Sequence, residues 1–170
     1  MARVENLLGA LSLTLSDRLR GVGVGHDMSA SEQASLVTLH AHPDRSVSWL
    51  GEVLGLTSSG VTRLVERLVT RGWVTRTTGS DARQRRLRLT AQGARRARAL
   101  LHERADALAK VTAPLSAADR EQLERLLEPL VGGLAVDYPQ ALRNCRLCDR
   151  DACNATGRDC PLAHTRPTDG

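Results

Sequence analysis

At 170 residues, 41% hydrophobic and 25% charged, the chain is long enough for one domain with a true core and a small appendage. No run of about 18 apolar residues is available to span a bilayer. The start, Met1–Leu15, acquires Glu5 early and lacks a basic lead into a small-residue cleavage site, so a cytoplasmic protein without a membrane partner is expected.

The net charge of +5 is unevenly held. Thr57–Arg98 contains 11 arginines against two acids, Glu66 and Asp81, and the remainder of the chain is acidic overall. Concentrated arginine marks a polyanion partner, because each guanidinium that neutralises a phosphate releases a counterion. Phenylalanine is absent, and Trp49, Trp73 and Tyr138 are the only aromatics. Single-strand and RNA binders need aromatic platforms on which bases stack, so the partner indicated is duplex DNA.

In chain order, Val4, Leu7, Leu8, Leu11, Leu15 and Leu19 recur at helical spacing and predict an amphipathic helix over roughly residues 3–20. The glycine-rich run 21–25 then acts as a connector. A phosphate loop there would have to follow a strand, and this run follows a helix. A second helix starts near Ser29, where Glu32 three positions on completes a capping box, and runs to about His40 before Pro43. Val47–Leu54 makes a short helix ending at Gly55. Leu56-Thr57-Ser58-Ser59 opens a longer one that reaches Arg71 and stops at Gly72. Two helices meeting at a short glycine-containing turn form a helix-turn-helix.

In the second of these helices Val61, Leu64, Val65 and Leu68 form the buried stripe, while Ser59, Thr62, Arg63, Glu66, Arg67 and Thr70 lie opposite. Hydroxyls and arginines near a helix N-terminus suit a recognition helix, which meets phosphate with its free N–H groups and base edges with its side chains. Trp73–Thr77 and Arg86–Leu89 are β-rich runs around a polar, basic tip, and so predict a hairpin. Thr90-Ala91-Gln92-Gly93 begins a long helix to about Thr112. Ser116 caps another to about Val136, whose Leu123, Leu126, Leu127, Leu130, Val131 and Leu134 are too many for one neighbour and call for burial against a partner. Trp73 is expected in the core where helix meets hairpin. Trp49 is expected between the short helices or as the wall of a ligand pocket.

This order resembles the MarR family of winged-helix transcriptional regulators. The resemblance covers about residues 4–136 and is carried by the run from Leu56 to Leu68, by Arg71-Gly72-Trp73-Val74, and by Asp81-Ala82-Arg83 followed at fixed distance by Leu89-Thr90-Ala91-Gln92-Gly93. It implies a mainly α fold with a small β-hairpin wing: a winged helix-turn-helix plus N- and C-terminal dimerisation helices. It also implies a homodimer on a palindromic operator, with recognition helices in major grooves and wings in flanking minor grooves. Arg83 would be the wing arginine, positioned by Asp81, and a narrow minor groove attracts arginine through its concentrated negative potential. Ser58, Ser59, Thr62, Arg63 and Arg67 would face the major groove. Arg76, Arg85 and Arg86, with Arg88, would grip DNA from an arginine-rich wing, some of them at phosphates. Repression is the usual mode that the resemblance implies.

All four cysteines fall in the last 26 residues, as Cys145-x2-Cys148-x4-Cys153-x6-Cys160, with Pro161 and His164 following. Two disulfides are disfavoured in a reducing compartment. The spacing indicates a metal centre, and two identities compete. Zinc takes four thiolates and suits the tight first pair, whereas an iron–sulfur cluster also takes four and a Cys-Pro terminus is familiar from such clusters. The tail lies outside the resemblance. Because it follows directly on the expected dimer helix, redox state or metal occupancy there is expected to alter dimer geometry and DNA affinity. A purely structural zinc with a separate small-molecule effector is the alternative.

The expected division is 1–25 for the N-terminal dimer helix, 29–90 for the DNA-binding domain, 91–138 for the C-terminal dimer helices and 143–164 for the cysteine tail. No nucleophile elbow, phosphate-binding loop or metalloprotease motif is present, and four thiolates would close a zinc to substrate, so no enzyme is expected. A non-specific nucleoid-type binder is the weaker alternative.

Overall fold

The computed structural model describes residues 2–23, 27–78, 85–155, 157 and 159–167. Helix α1 (Arg3–Arg20) leads into α2 (Ala30–Ala41), a two-residue strand β1 (Arg45–Ser46), α3 (Val47–Leu54) and α4 (Ser58–Thr70). Strands β2 (Val74–Thr78) and β3 (Arg85–Leu89) follow, then α5 (Ala91–Thr112), α6 (Ala117–Gly132), α7 (Tyr138–Asn144) and α8 (Arg150–Asn154). The fold is mainly helical with a three-stranded antiparallel sheet in the order β1-β3-β2.

Helix α2 is the centre of the molecule, buried from Glu32 to Leu39. Its start is fixed by the capping box: Ser29 N–H donates to Glu32 Oε2 at 2.8 Å and Glu32 N–H donates to Ser29 Oγ at 3.3 Å. A helix this enclosed must satisfy its polar side chains internally. Ser35 Oγ donates to Ser31 O at 2.7 Å, Gln33 Nε2 to Met28 O at 3.3 Å, and Thr38 Oγ1 to Arg146 O at 3.2 Å. Leu36, Leu39, Leu50, Leu64, Val65, Leu68, Leu87 and Leu100 pack around it into one core.

The helix-turn-helix joins this core through the predicted stripe, since Val61, Leu64, Val65 and Leu68 are all buried. Gly55 closes α3 at φ +65°, a left-handed position that glycine occupies without strain. The hairpin registers Val74 against Leu89 and Thr78 against Arg85. Beyond the prediction, β1 adds a third strand by pairing Arg45 with Leu87 and Ser46 with Arg86.

Two boundaries differ from expectation. The helix predicted to reach Val136 ends at Gly132, where Gly133 N–H bonds back to Pro129 O at 3.0 Å. The chain then turns and restarts as α7, with Asp137 Oδ1 accepting from Gln140 N–H at 2.8 Å. The tail, expected as a small appendage, packs through α7 against α3. In contrast, α1 and α6 have no fully buried residue, and only a few of their side chains, such as Leu19 and Val131, pack partly buried within the chain.

Candidate DNA interface and cysteine cluster

The recognition face is set by α4. Thr57 caps its N-terminus, with Oγ1 accepting from Gly60 N–H at 3.2 Å. The first turns therefore present Ser58, Ser59, Thr62 and Arg63 to solvent, with Arg67 a turn further along. Thr62 Oγ1 donates back to Ser58 O at 2.8 Å. Beside this helix start runs an open groove of about 690 Å³ between α3 and α4, lined by Ser48, Thr57, Thr62 and, from the tail, Arg143.

The wing arginines divide by role. Arg76 and Arg85 are exposed on β2 and β3. Arg86, half-buried, donates from Nη1 to Asp44 O at 2.9 Å. Arg88 grips the same residue through its carboxylate, Nε to Oδ1 at 3.0 Å and Nη2 to Oδ2 at 2.5 Å. That paired contact holds the Asp44 carboxyl below its usual pKa. Arg86 and Arg88 thus bind the β1 turn to the wing, a job the sequence did not reveal. Asp81 and Arg83, the expected wing-tip pair, lie outside the described residues.

Several other arginines of the basic window also have internal tasks. Arg71 and Arg96 place their guanidinium carbons 4.8 and 4.6 Å from the Trp73 ring centre, one on behalf of α4's end and one from α5. Trp73 is buried, as expected. Arg67 and Arg71 each bring Nε to 3.8 Å from Glu32 Oε1, a buried carboxylate oxygen without a hydrogen bond. The charge excess therefore overstates the DNA footprint; Arg63, Arg76 and Arg85 are the exposed remainder on α4 and the strands.

Trp49 packs against His42, with ring centres 5.3 Å apart, and under Arg45 at 5.1 Å. His42 also contacts the Arg150 guanidinium. Burial first, and then the positive charges of Arg150 and Arg45, push its pKa down to about 4. A histidine kept neutral in the fold stabilises it above the unfolded value of about 6.5, and that contribution is lost as pH falls from there toward 4. The ring is only half-buried, so about 1 kcal/mol is expected between pH 7 and pH 5 after allowing for solvent screening. Urea unfolding at the two pH values should show this loss in the wild type and a smaller one in His42→Gln. Equal losses would refute the assignment.

All four cysteines are free thiols. Cys145, Cys148 and Cys160 line one cavity of about 40 Å³, and Cys145 and Cys160 pack together on Ala135, Ala141 and Leu162. The Cys145 thiol hydrogen-bonds toward Cys148, and this bond, aided by Arg104, Arg146 and Arg150 against the cost of burial, draws the Cys148 pKa down to about 7. The same shared proton, followed by burial, pushes Cys145 up. Cys153 is exposed on α8 and is raised by burial of its sulfur and by the neighbouring Cys148, Cys160 and Asp149. Among the described residues, no group of three or more His, Cys, Asp or Glu side chains is placed so that it could hold a metal ion. His164 is engaged elsewhere, its ring nitrogens 3.1 Å from Pro161 O and 3.3 Å from Ala135 O.

A buried stripe behind an exposed hydroxyl-and-arginine face, joined to a hairpin wing, defines a winged helix-turn-helix protein. Known proteins of this fold resemble the chain. Residues 26–87, the winged helix itself, match the MarR family model. A MarR family protein from Bacillus stearothermophilus is similar at 28% identity over 75% of this chain and 89% of its own, with a TM-score of 0.67. Apo MarR from E. coli aligns at 23% identity over 76% and 98%, TM-score 0.62. MepR, described as a transcription regulator of the Staphylococcus aureus multidrug efflux pump MepA, aligns at 16% over 79% and 100%, TM-score 0.65. No curated protein matches the chain. The chain thus has the winged-helix DNA-binding fold of MarR-family regulators. Among the described residues no helix is long and apolar enough to cross a membrane.

Proposed function

We propose that this protein is a sequence-specific, double-stranded DNA-binding transcriptional regulator that acts as a cytoplasmic homodimer on a palindromic operator, as a repressor, and has no catalytic activity. The observation that carries the reading is α4: Ser58, Ser59, Thr62 and Arg63 are exposed at the N-terminal end of a helix whose opposite face is wholly buried. Such a helix is rigid enough to read base edges rather than only to attract phosphate. The match of residues 26–87 to the MarR family supports it. In this reading Arg83, placed by Asp81, enters the minor groove, while Arg76 and Arg85 hold phosphates from the strands.

The exposed leucines of α1 and α6 support the homodimer, because such a concentration of apolar surface is seldom left to water. The four cysteines supply redox- or metal-dependent modulation. The alternative, a structural zinc with a separate small-molecule effector, is favoured by the α3–α4 groove, which has room for such a ligand.

Arg63→Ala tests the reading. The variant is expected to lower specific affinity about ten-fold or more, within the 1–3 kcal/mol of one base contact, and to leave random-duplex binding nearly unchanged. Footprinting on the protein's own upstream region and titration against scrambled DNA measure both. An equal fall in the two affinities would make Arg63 a phosphate contact only.

A further inference from the structure

The recognition surface does not end with the helix-turn-helix. Helix α7 packs against α3, and its exposed Arg143 donates from Nε to the carbonyl oxygen of Glu52, in the last turn of α3, at 3.0 Å. A cation on the final carbonyls of a helix is well placed, since the helix dipole is negative there. From this position Arg143 lines the groove between α3 and α4 together with Ser48, Thr57, Ser58 and Thr62. Thr57, Ser58 and Thr62 belong to the cap and first turns of α4, the end that the DNA-binding reading sets against the duplex. A segment from beyond the winged helix thus delivers a positive charge to the same groove.

The backbone that carries Arg143 is fixed on both sides. Ala141 and Leu142, just before it, are buried. Just after it, Arg146 O accepts from Thr38 Oγ1 at 3.2 Å and Leu147 O accepts from Arg104 Nε at 3.2 Å, while Leu147 packs onto the main core. Folding has therefore already met much of the cost of ordering this side chain at an interface. Its bond to Glu52 O uses Nε alone, and neither Nη group has a partner among the described residues. A guanidinium held in this way keeps a planar set of donors for a second acceptor, and that set matches the oxygens of a phosphate. Phosphates on DNA are taken by arginines, hydroxyls and helix N-termini, which are the groups gathered here. Glu52 also lines the groove, and its carboxylate opposes a phosphate there.

We propose that the groove between α3 and α4 receives the sugar–phosphate backbone of duplex DNA, and that Arg143 of the tail binds a phosphate there, beside the start of the recognition helix. Such a contact adds affinity and fixes the register of the protein on the duplex without reading sequence. It gives the tail a direct part in DNA binding, separate from any chemistry of its cysteines. The proposal rests on the DNA-binding reading and extends that surface beyond the winged helix.

The test titrates full-length wild type and variants, in reductant, against a duplex selected from a random pool and against a scrambled duplex, from about 50 to 200 mM salt. Arg143→Ala should weaken both complexes alike, about ten-fold at the lowest salt, and lower the salt slope by about one for each protomer bound. Arg143→Lys keeps the charge and loses the planar fork, so it should restore the slope and part of the affinity. Glu52→Gln should act in the opposite sense and tighten both complexes. Arg63→Ala is the contrast, since it should weaken mainly the selected duplex. A fall in affinity for Arg143→Ala with the wild-type slope would show that the side chain only supports α3, and would overturn the proposal. A loss confined to the selected duplex would make Arg143 a base contact and overturn the phosphate assignment. Unchanged affinity and slope, with Arg63→Ala still impaired, would overturn the proposal, leave the DNA-binding reading standing and leave the groove to a small-molecule effector. A wild type that binds neither duplex would overturn both.

Discussion

Gly93→Ala is expected to cost about 3 kcal/mol of stability and to lower the melting temperature by roughly 10 °C. A Cβ at this third residue of α5 would sit 2.0 Å from the Trp73 carbonyl oxygen, with the Trp73 carbonyl carbon at 2.9 Å and its Cα at 3.2 Å. All three are backbone atoms, so no side chain can swing aside. The oxygen is also fixed from the other direction, accepting from Thr90 N–H at 3.0 Å and facing Thr90 Oγ1 at 3.3 Å. Either α5 lifts off the sheet or Trp73 leaves a site where only 3% of it is exposed. Both movements tilt the wing against α4, so DNA affinity should fall with stability. Calorimetry of wild type and variant measures the first effect. A melting temperature within about 2 °C of wild type would show that the helix start yields easily and that this packing is not critical.

The same contact shows what was legible in the sequence. The spacing of Leu89-Thr90-Ala91-Gln92-Gly93 announced the start of α5, because a cap and its helix lie within four residues of each other. Why that position is glycine depends on Trp73, twenty residues earlier, and only the folded chain brings the two together. Elements α1 to α5 were readable for the same local reason: the Ser29–Glu32 box, the Thr57 cap and Gly55 all adjoin the apolar stripes they delimit. Strand β1 has two polar residues and no alternation, and its existence rests on the β3 edge it pairs with. Missing β1 meant missing Asp44, and Arg86 and Arg88 then read as DNA ligands only. The end of α6 was overrun because Leu134 and Val136 continue the apolar rhythm past Gly132 and Gly133. The tail's anchorage was out of reach, since Arg143 meets Glu52 from 91 positions away.

Leu130→Glu combined with Leu7→Glu is expected to convert the protein to a monomer and to weaken operator binding by two orders of magnitude or more. In the single chain Leu7 is 54% exposed, Leu8 53%, Leu126 58%, Leu130 57% and Leu134 63%, and neither α1 nor α6 has a fully buried residue. Nothing inside the protomer accounts for this much leucine, so the homodimer reading assigns it to the partner. Burying a leucine contributes about 1.5–3 kcal/mol, and twofold symmetry counts each substitution twice. The added carboxylates must also be desolvated or excluded. Losses of that size exceed the stability of an ordinary dimer at micromolar concentration. A monomer holds one half-site at a time and forfeits the second, which explains the size of the effect on a palindrome. Sedimentation should find a single folded chain with unchanged helical content, because within the protomer these side chains support little. That last point separates the outcomes. A variant that unfolds would place the two leucines in the protomer's own core, contrary to their exposure. A variant that stays dimeric with full operator affinity would show that the partner binds elsewhere and that α1 and α6 face water for another reason.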